Sequence, residues 1–391
     1  MKAVGIIAEF NPFHNGHRFI LNHAKHKSQA EVLIVVMSGN FLQRGEPALI
    51  NKWRRTQAAL ANGADLVIEL PFTAATESAE NFARGGVQLL HDLHCDTLCF
   101  GTEDGDSIPY EALAVFYQQE TARFDDLIQE RLAEHYTYPN ALTAAWEALT
   151  HDTWPNINFR QPNILLGLQY AIANQLGNHP MQLLPLNRIG AQHSDEHIAH
   201  EAFASGTAIR SRVLEGHDIT AFIPENTQQL VTEATKHTWA DYWPLLHYQL
   251  LLQSPAQLSL YHGISEGIEY RLINAAKKAN SFSEWLSLVK TKRYTVNRIQ
   301  RMALNILMQH TEADFQLQQQ KTYHHLLGMS TTGQAYLKQS KKTRSFPVVA
   351  TFSKAPPGYT FVDEKATALY QLPFKKVSAN DYTHPPIRIE L

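Results

Sequence analysis

Within the first two hundred residues two kinds of pattern alternate, and this alternation limits the fold more than any other feature. Apolar, β-rich runs occur at "VGII" (4–7), "EVLIVVMSG" (31–39), "ADLVIELP" (64–71), "DTLCFGTE" (96–103) and "MQLLPL" (181–186). Between the early runs lie helical spacings: "HRFILNHAKHK", "NKWRRTQAALANG" with Asn51 as its N-cap, and "ESAENFARGGVQLLHDL". A strand that is apolar on both faces needs cover on both sides, and amphipathic helices between such strands supply it. The pattern therefore predicts an α/β chain built on a doubly wound, Rossmann-like parallel sheet. The gap from about 107 to 180 is too long for one crossover and predicts a helical insertion. After "ASGTAIRSRVLEG" (204–216) the apolar spacing turns mostly helical. Residues 1–218 are thus expected to form the sheet domain and 219–391 a mainly helical one.

Composition narrows the class. Hydrophobic residues make up 44% and charged residues 18% of the 391-residue chain, as in ordinary globular proteins. The net charge of −3 argues against a surface that coats nucleic acid throughout but leaves room for a local basic patch. No apolar run approaches the ~18 residues of a membrane-spanning helix, and no membrane partner is expected. The start, "MKAVGIIAEF", reads as a strand of the mature chain rather than a signal peptide. Cys95 and Cys99, in "CDTLC", fit neither a redox pair nor a zinc knuckle and read as buried thiols of a protein in the reducing cytoplasm.

The chemistry is concentrated in "AEFNPFHNGHRF", Ala8 to Phe19. In a doubly wound sheet, phosphates bind at the carboxyl end of a strand, where the next helix presents free N–H groups and its positive dipole end. "NPFHNGH" takes that place if the first strand ends near Phe10 and a helix starts near His17. Gly16 lets backbone approach a ligand. His14 and His17, three apart, share one helix face, and as imidazolium donors both could reach one α-phosphate. "ASGTAIRSR" then puts Ser205, Thr207 and Arg210 at another helix start, where they suit β- and γ-phosphates; either hydroxyl could equally be a plain N-cap.

Together the two segments resemble the nucleotidyltransferase superfamily related to class I aminoacyl-tRNA synthetases, whose marks are H-x-G-H after the first strand and an I-S-x-T-x-I-R-like helix start. Ala204 and Gly206 depart from the second mark. Longer stretches, "MSGNFLQRGEPALINKWRRTQAALANGADLVIELP", "FGTE", "PNILLGLQY", "LPLNRIGAQH" and "KRYTVNRIQRMALNIL", are similar to the bacterial tRNA(Met) cytidine acetate ligase family over nearly the whole chain, least past about 345. The resemblance implies an enzyme that makes acetyl-adenylate from acetate and ATP. It then acetylates N4 of the wobble cytidine of elongator tRNA(Met), giving N4-acetylcytidine. It implies an ATP site on Ile7, Ala8, Glu9, Phe10, Asn11, Pro12, Phe13, His14, Asn15, Gly16, His17, Arg18, Phe19 and Ile20, with Gly101, Asn163 and Arg188. His14 and His17 are the expected catalytic pair, and Mg²⁺ is expected to arrive with the nucleotide rather than in a protein cage. By position alone, Asn163 could instead cap the helix that follows it.

A tRNA partner needs a basic surface. Arg271 to Arg301 hold eight Lys or Arg against one acid, Glu284. The expected RNA contacts are Lys277, Lys278, Lys290, Lys292, Arg293, Arg298 and Arg301. His193, His197 and His200 have spacing that could ligate zinc, but no cysteine joins them, and no metal site is expected. Two other readings stay open: a small-molecule adenylyltransferase or carboxylate–amine ligase of the same superfamily, and a non-catalytic nucleotide-sensing RNA-binding protein.

Overall fold

Five parallel strands form over the five apolar runs: β1 Ala3–Ala8, β2 Val32–Ser38, β3 Leu66–Leu70, β4 Thr97–Thr102 and β5 Gln182–Asn187. These come from a computed structural model that describes residues 1–105, 107–188, 203–265, 267–374 and 380–390. Every residue of β2 and β3 is buried, which is why those runs carry no polar alternation. On one face, Val4 and Ile6 pack with Leu21 and Ala24 of α1 (Asn15–Ser28) and with Ala58–Leu60 of α2 (Lys52–Ala61). On the other, Ile34, Val36 and Leu98 meet the helices Ala79–Asp92 and Pro162–Gln175. Asn51 caps α2 as expected, its Oδ1 accepting the Arg54 N–H at 3.0 Å. The insertion supplies the helices Tyr110–Gln119, Thr121–Ala133 and Tyr138–Thr150, gathered around buried Phe124 and Trp146.

The strand order is β5-β4-β1-β2-β3, continued by β6 (His324–Ser330), which runs antiparallel to β3. The chain winds from β1 out to β3, then returns to place β4 on the other side of β1. Winding direction thus reverses between β1 and β4, and a crevice opens at their carboxyl ends.

Two short strands, β7 (Val348–Val349) and β8 (Ile387–Ile389), pair parallel with the two ends of β6. The sheet therefore crosses the expected 218/219 partition. The segment 225–319 is helical with its own core, which includes Tyr242, Leu272, Trp285 and Leu304, whereas 324–389 returns to the sheet. That second core also takes in Phe41 and Phe72 from the first part of the chain. The joint is the loop after β2. Gly45 has φ +78°, and a Cβ there would lie 2.5 Å from the Arg301 backbone nitrogen, so only glycine allows the loop to seat on helix Val296–Met308.

Asp381 reaches back from the C-terminal segment to Lys52 of α2. The Lys52 ammonium is fully buried and donates to Glu69 Oε1 and Oε2 at 2.9 and 2.7 Å and to Asp381 Oδ2 at 2.8 Å, while His325 of β6 bonds Glu69 as well. Cys95 and Cys99 are buried and unpaired. No helix among the described residues is long and apolar enough to cross a membrane.

Candidate active site

The β1–α1 turn sits at the crevice between β1 and β4. His14 is the residue that precedes α1, and His17 lies in its first turn. Their rings stack at 3.6 Å between centroids, 23° from parallel. The edge of Phe10 and the tilted ring of Phe13 lie against His17, at 4.8 and 5.6 Å between centroids. The His14 backbone N–H donates to His17 Nδ1 at 3.2 Å. A neutral ring that accepts at Nδ1 carries its proton at Nε2, so His17 keeps one directed donor for a ligand.

The expectation of imidazolium donors is corrected by burial. Burial and, behind it, the Arg188 charge lower the His14 pKa to about 4. Burial, then His14, then Arg188 hold His17 well below its ordinary value. Both rings are neutral at pH 7. An anion brought near the pair would push both values upward.

The turn itself is over-determined. Phe10 has φ +50°, a left-handed conformation that costs a bulky residue about 1–2 kcal/mol. Three anchors hold it. Arg55 of α2 donates to the Glu9 carbonyl at 2.7 Å. Asn11 Oδ1 accepts the Leu49 N–H at 2.7 Å. Arg210 Nη1 donates to the Asn11 carbonyl at 3.1 Å.

Across the crevice, Gly101 of β4 and Arg188 just after β5 meet α1. A Cβ on Gly101 would lie 3.1 Å from Ile20 Cδ1 and 3.3 Å from Arg188 Cγ, so the missing side chain lets the arginine stem lie flat on the strand end. Arg188 Nη1 donates to Asn163 Oδ1 at 3.4 Å, and Asn163 Nδ2 donates to Glu103 Oε1 at 2.6 Å. The capping alternative for Asn163 is set aside by position: Gln161 precedes the helix, and Asn163 lies within it.

The second motif is brought against the first. Ser205 caps helix Gly206–Leu214, accepting the Ala208 N–H at 3.2 Å. Arg210 Nη2 donates to Thr207 Oγ1 at 3.2 Å, and Arg210 pairs with Glu46 at 3.5 Å. These groups brace one another and the turn. His193, His197 and His200 lie outside the described residues.

Of the expected RNA contacts, Lys277, Lys278, Lys290, Lys292 and Arg293 are exposed, and Arg298 is half-buried over the Tyr294 ring at 4.8 Å. Arg301 is the exception. It turns inward and donates to the Gln43 and Glu77 carbonyls at 3.2 and 3.3 Å, which fastens the loop after β2. Burial lowers its pKa. Its place is in the joint between the two cores, not on the surface patch.

Two residues carry more than their sequence context suggested. Arg55, fully buried, donates to the carbonyls of Ile50, Glu9, Ser38 and Gly39, and so ties the ends of β1 and β2 together. Glu9 falls inside the expected ATP loop, yet strand alternation separates it from that loop. Ile6 and Phe10 share the α1 face, whereas Ile7 lies on the opposite one, and Glu9 follows Ile7 by two residues. Its Oε1 accepts the Gln43 N–H at 2.8 Å, and burial raises its pKa. The signal for this was the two-residue period of β1 itself.

The family model for HIGH nucleotidyl transferases matches residues 1–384. A tRNA(Met) cytidine acetate ligase of Listeria monocytogenes is 41% identical, with 99% of each chain covered. The Bacillus subtilis protein of the same name is 37% identical over 100% of this chain and 98% of its own. Among solved structures, Thermotoga maritima TmcAL bound with alpha-thio ATP superposes with a TM-score of 0.89 at 27% identity, with both chains fully covered. The chain therefore belongs to the HIGH nucleotidyl transferase family, in the branch formed by the tRNA(Met) cytidine acetate ligases.

Proposed function

We propose that this protein is an ATP-dependent ligase that activates acetate as acetyl-AMP and acetylates N4 of the wobble cytidine of elongator tRNA(Met) in the cytoplasm. The observation that carries this is the His14–His17 stack at the β1/β4 switch point, facing Gly101 and Arg188, in a chain whose relatives of that name match it end to end.

In the first step the acetate carboxylate attacks the α-phosphate and pyrophosphate leaves. Acetate is already an anion, so alignment and charge neutralisation matter more than a protein base. His17 Nε2–H and the adjacent His14 ring meet the charge that grows on the α-phosphate. Arg188 and Arg210 hold the rest of the triphosphate, and Ala8 and residues 10–20 with Gly101 and Asn163 surround the nucleoside. Bound Mg²⁺ would neutralise the departing pyrophosphate. The nearby carboxylates Glu9, Glu46 and Glu103 already pair with Gln43, Arg210 and Asn163, which leaves phosphates and water as the ion's ligands.

In the second step cytosine N4 attacks the acetyl carbonyl. A C–N bond forms, the anhydride C–O bond to AMP breaks, and N4 loses a proton. The proton passes to solvent, and precise placement of the base supplies much of the rate, because the N4 lone pair is delocalised into the ring.

The function itself is tested by incubating the protein with ATP, labelled acetate and total tRNA, then analysing the digested nucleosides by mass. Label in N4-acetylcytidine from the elongator tRNA(Met) is expected. Exchange without any tRNA product would favour the carboxylate–amine ligases, and no turnover at all would favour a sensor. The RNA surface is proposed to run over Lys277, Lys278, Lys290, Lys292, Arg293 and Arg298.

A further inference from the structure

A second cleft opens on the same carboxyl rim, two strands along from β1. It has a volume of about 260 Å³ and lies between helix Ala79–Asp92, the segment after β3 and the turn that leads into β6. At about 30 Å³ per water this is room for eight or nine waters, enough for a phosphate with its attached sugar. Gly85 allows the narrow floor, because a Cβ there would run into the Ala74 side chain.

The lining has one sign of charge. Arg84 and Lys321 contribute cations, and no carboxylate among the described residues lines the cleft, on a chain whose net charge is −3. Arg84 is exposed and donates only to the neutral Asn81, and the Lys321 ammonium, lying beside Gly358, has no hydrogen-bond or ion-pair partner among the described residues. An independent feature sits in the wall. Gln318 is 2% exposed, and its Nε2 donates to the carbonyls of Tyr359 and Lys321 at 2.7 and 3.2 Å. Those bonds fix the amide's orientation and leave Oε1 as a buried acceptor with no partner among the described residues. Such an atom is destabilising to bury unless something donates to it.

We propose that this cleft binds one phosphorylated nucleotide, with its phosphate between Arg84 and Lys321 and a hydroxyl or amino hydrogen donated to Gln318 Oε1. Cations without acids select an anion, and the orphan acceptor selects a ligand that also donates, which inorganic phosphate satisfies poorly and a nucleotide satisfies well. Two sources share this chemistry: a nucleotide of the tRNA strand whose neighbour is held at β1, and a free mononucleotide. The RNA source rests on the function proposed above; the free nucleotide does not.

The test uses the full-length double variant Arg84→Ser, Lys321→Ser, with thermal melting to confirm folding. Acetate-dependent ATP–pyrophosphate exchange should stay within twofold of the parent, since neither residue touches the ATP site. If the nucleotide belongs to RNA, the Kd for total tRNA rises at least tenfold, and the slope of log Kd against log salt falls by about one for each phosphate that the variant no longer neutralises. If the ligand is free, the parent binds cytidine monophosphate when already saturated with ATP, the variant loses that binding, and tRNA affinity is unchanged. Direct tRNA binding is read rather than turnover, so a parent that acetylates no tRNA would sink the function above while this cleft is still judged. Unchanged tRNA affinity together with no loss of cytidine monophosphate binding would overturn the proposal.

Discussion

His17→Ala is expected to lower acetate-dependent ATP–pyrophosphate exchange about 10²–10³-fold, the usual cost of removing one directed donor from a charge-developing centre. The reason is the tautomer. The His14 backbone N–H occupies Nδ1, so the only proton on the neutral His17 ring is on Nε2. Alanine removes it, and the Phe10 and Phe13 rings that pack against His17 cannot replace it. His14→Ala should cost at least tenfold, by removing the stacked partner as well as its own donor. Both variants should stay folded; normal exchange in both would refute the assignment.

The same pair gives a pH signature. An unfolded histidine takes up a proton below about pH 6.5, whereas His14 in the native chain refuses it until about pH 4. The unfolded state then binds more protons throughout that window, so stability falls as pH drops from about 6.5 to about 4. The parent should therefore lose stability relative to His14→Asn across that range, as read from urea midpoints. A difference that does not move with pH would mean that His14 is not held neutral.

Much of this site was visible in the chain because it depends on local pattern. "VGII" followed by "NPFHNGH" fixes a strand, a turn and a helix start within a few residues, and the five apolar runs set the order of crossovers. Gly101 and Arg188 follow from the rule that ligands gather at strand carboxyl ends. What was hidden depends on partners far away in sequence. Lys52 and Arg55 stand in "NKWRR", which reads as the wet face of a helix, yet both are fully buried. Lys52 is matched by Glu69 and by Asp381, 329 residues on, and no local period could announce that pair. Arg301 misled for the opposite reason. A run of like charge reads as one surface, but the turn of the helix sends Arg301 toward the Gln43 and Glu77 carbonyls while Lys292 and Arg293 face water. The strands β6, β7 and β8 were obscured because short segments at a sheet edge carry too few residues for a clear alternation.

Arg55→Met should be the most destabilising single change near the site, at about 3 kcal/mol or more. Methionine fills much of the volume, but the carbonyls of Glu9, Ser38, Gly39 and Ile50 lose their donor in a place water does not reach. Each orphaned acceptor costs about 1–3 kcal/mol, and because they share one donor the costs do not simply add. Relief of the buried charge offsets part of the loss. No carboxylate among the described residues bonds the guanidinium directly, and burial lowers its pKa to about 10. Arg55→Lys separates the two effects, since it keeps the charge but cannot span carbonyls on two strands. It should cost less stability than methionine, yet still raise the KM for ATP at least tenfold. Without the hold on the Glu9 carbonyl, Phe10 can leave its left-handed conformation and His14 and His17 lose their stack. A lysine variant with parental KM would show that the Asn11 and Arg210 anchors suffice alone; a methionine variant with an unchanged urea midpoint would show that the clamp bears no load.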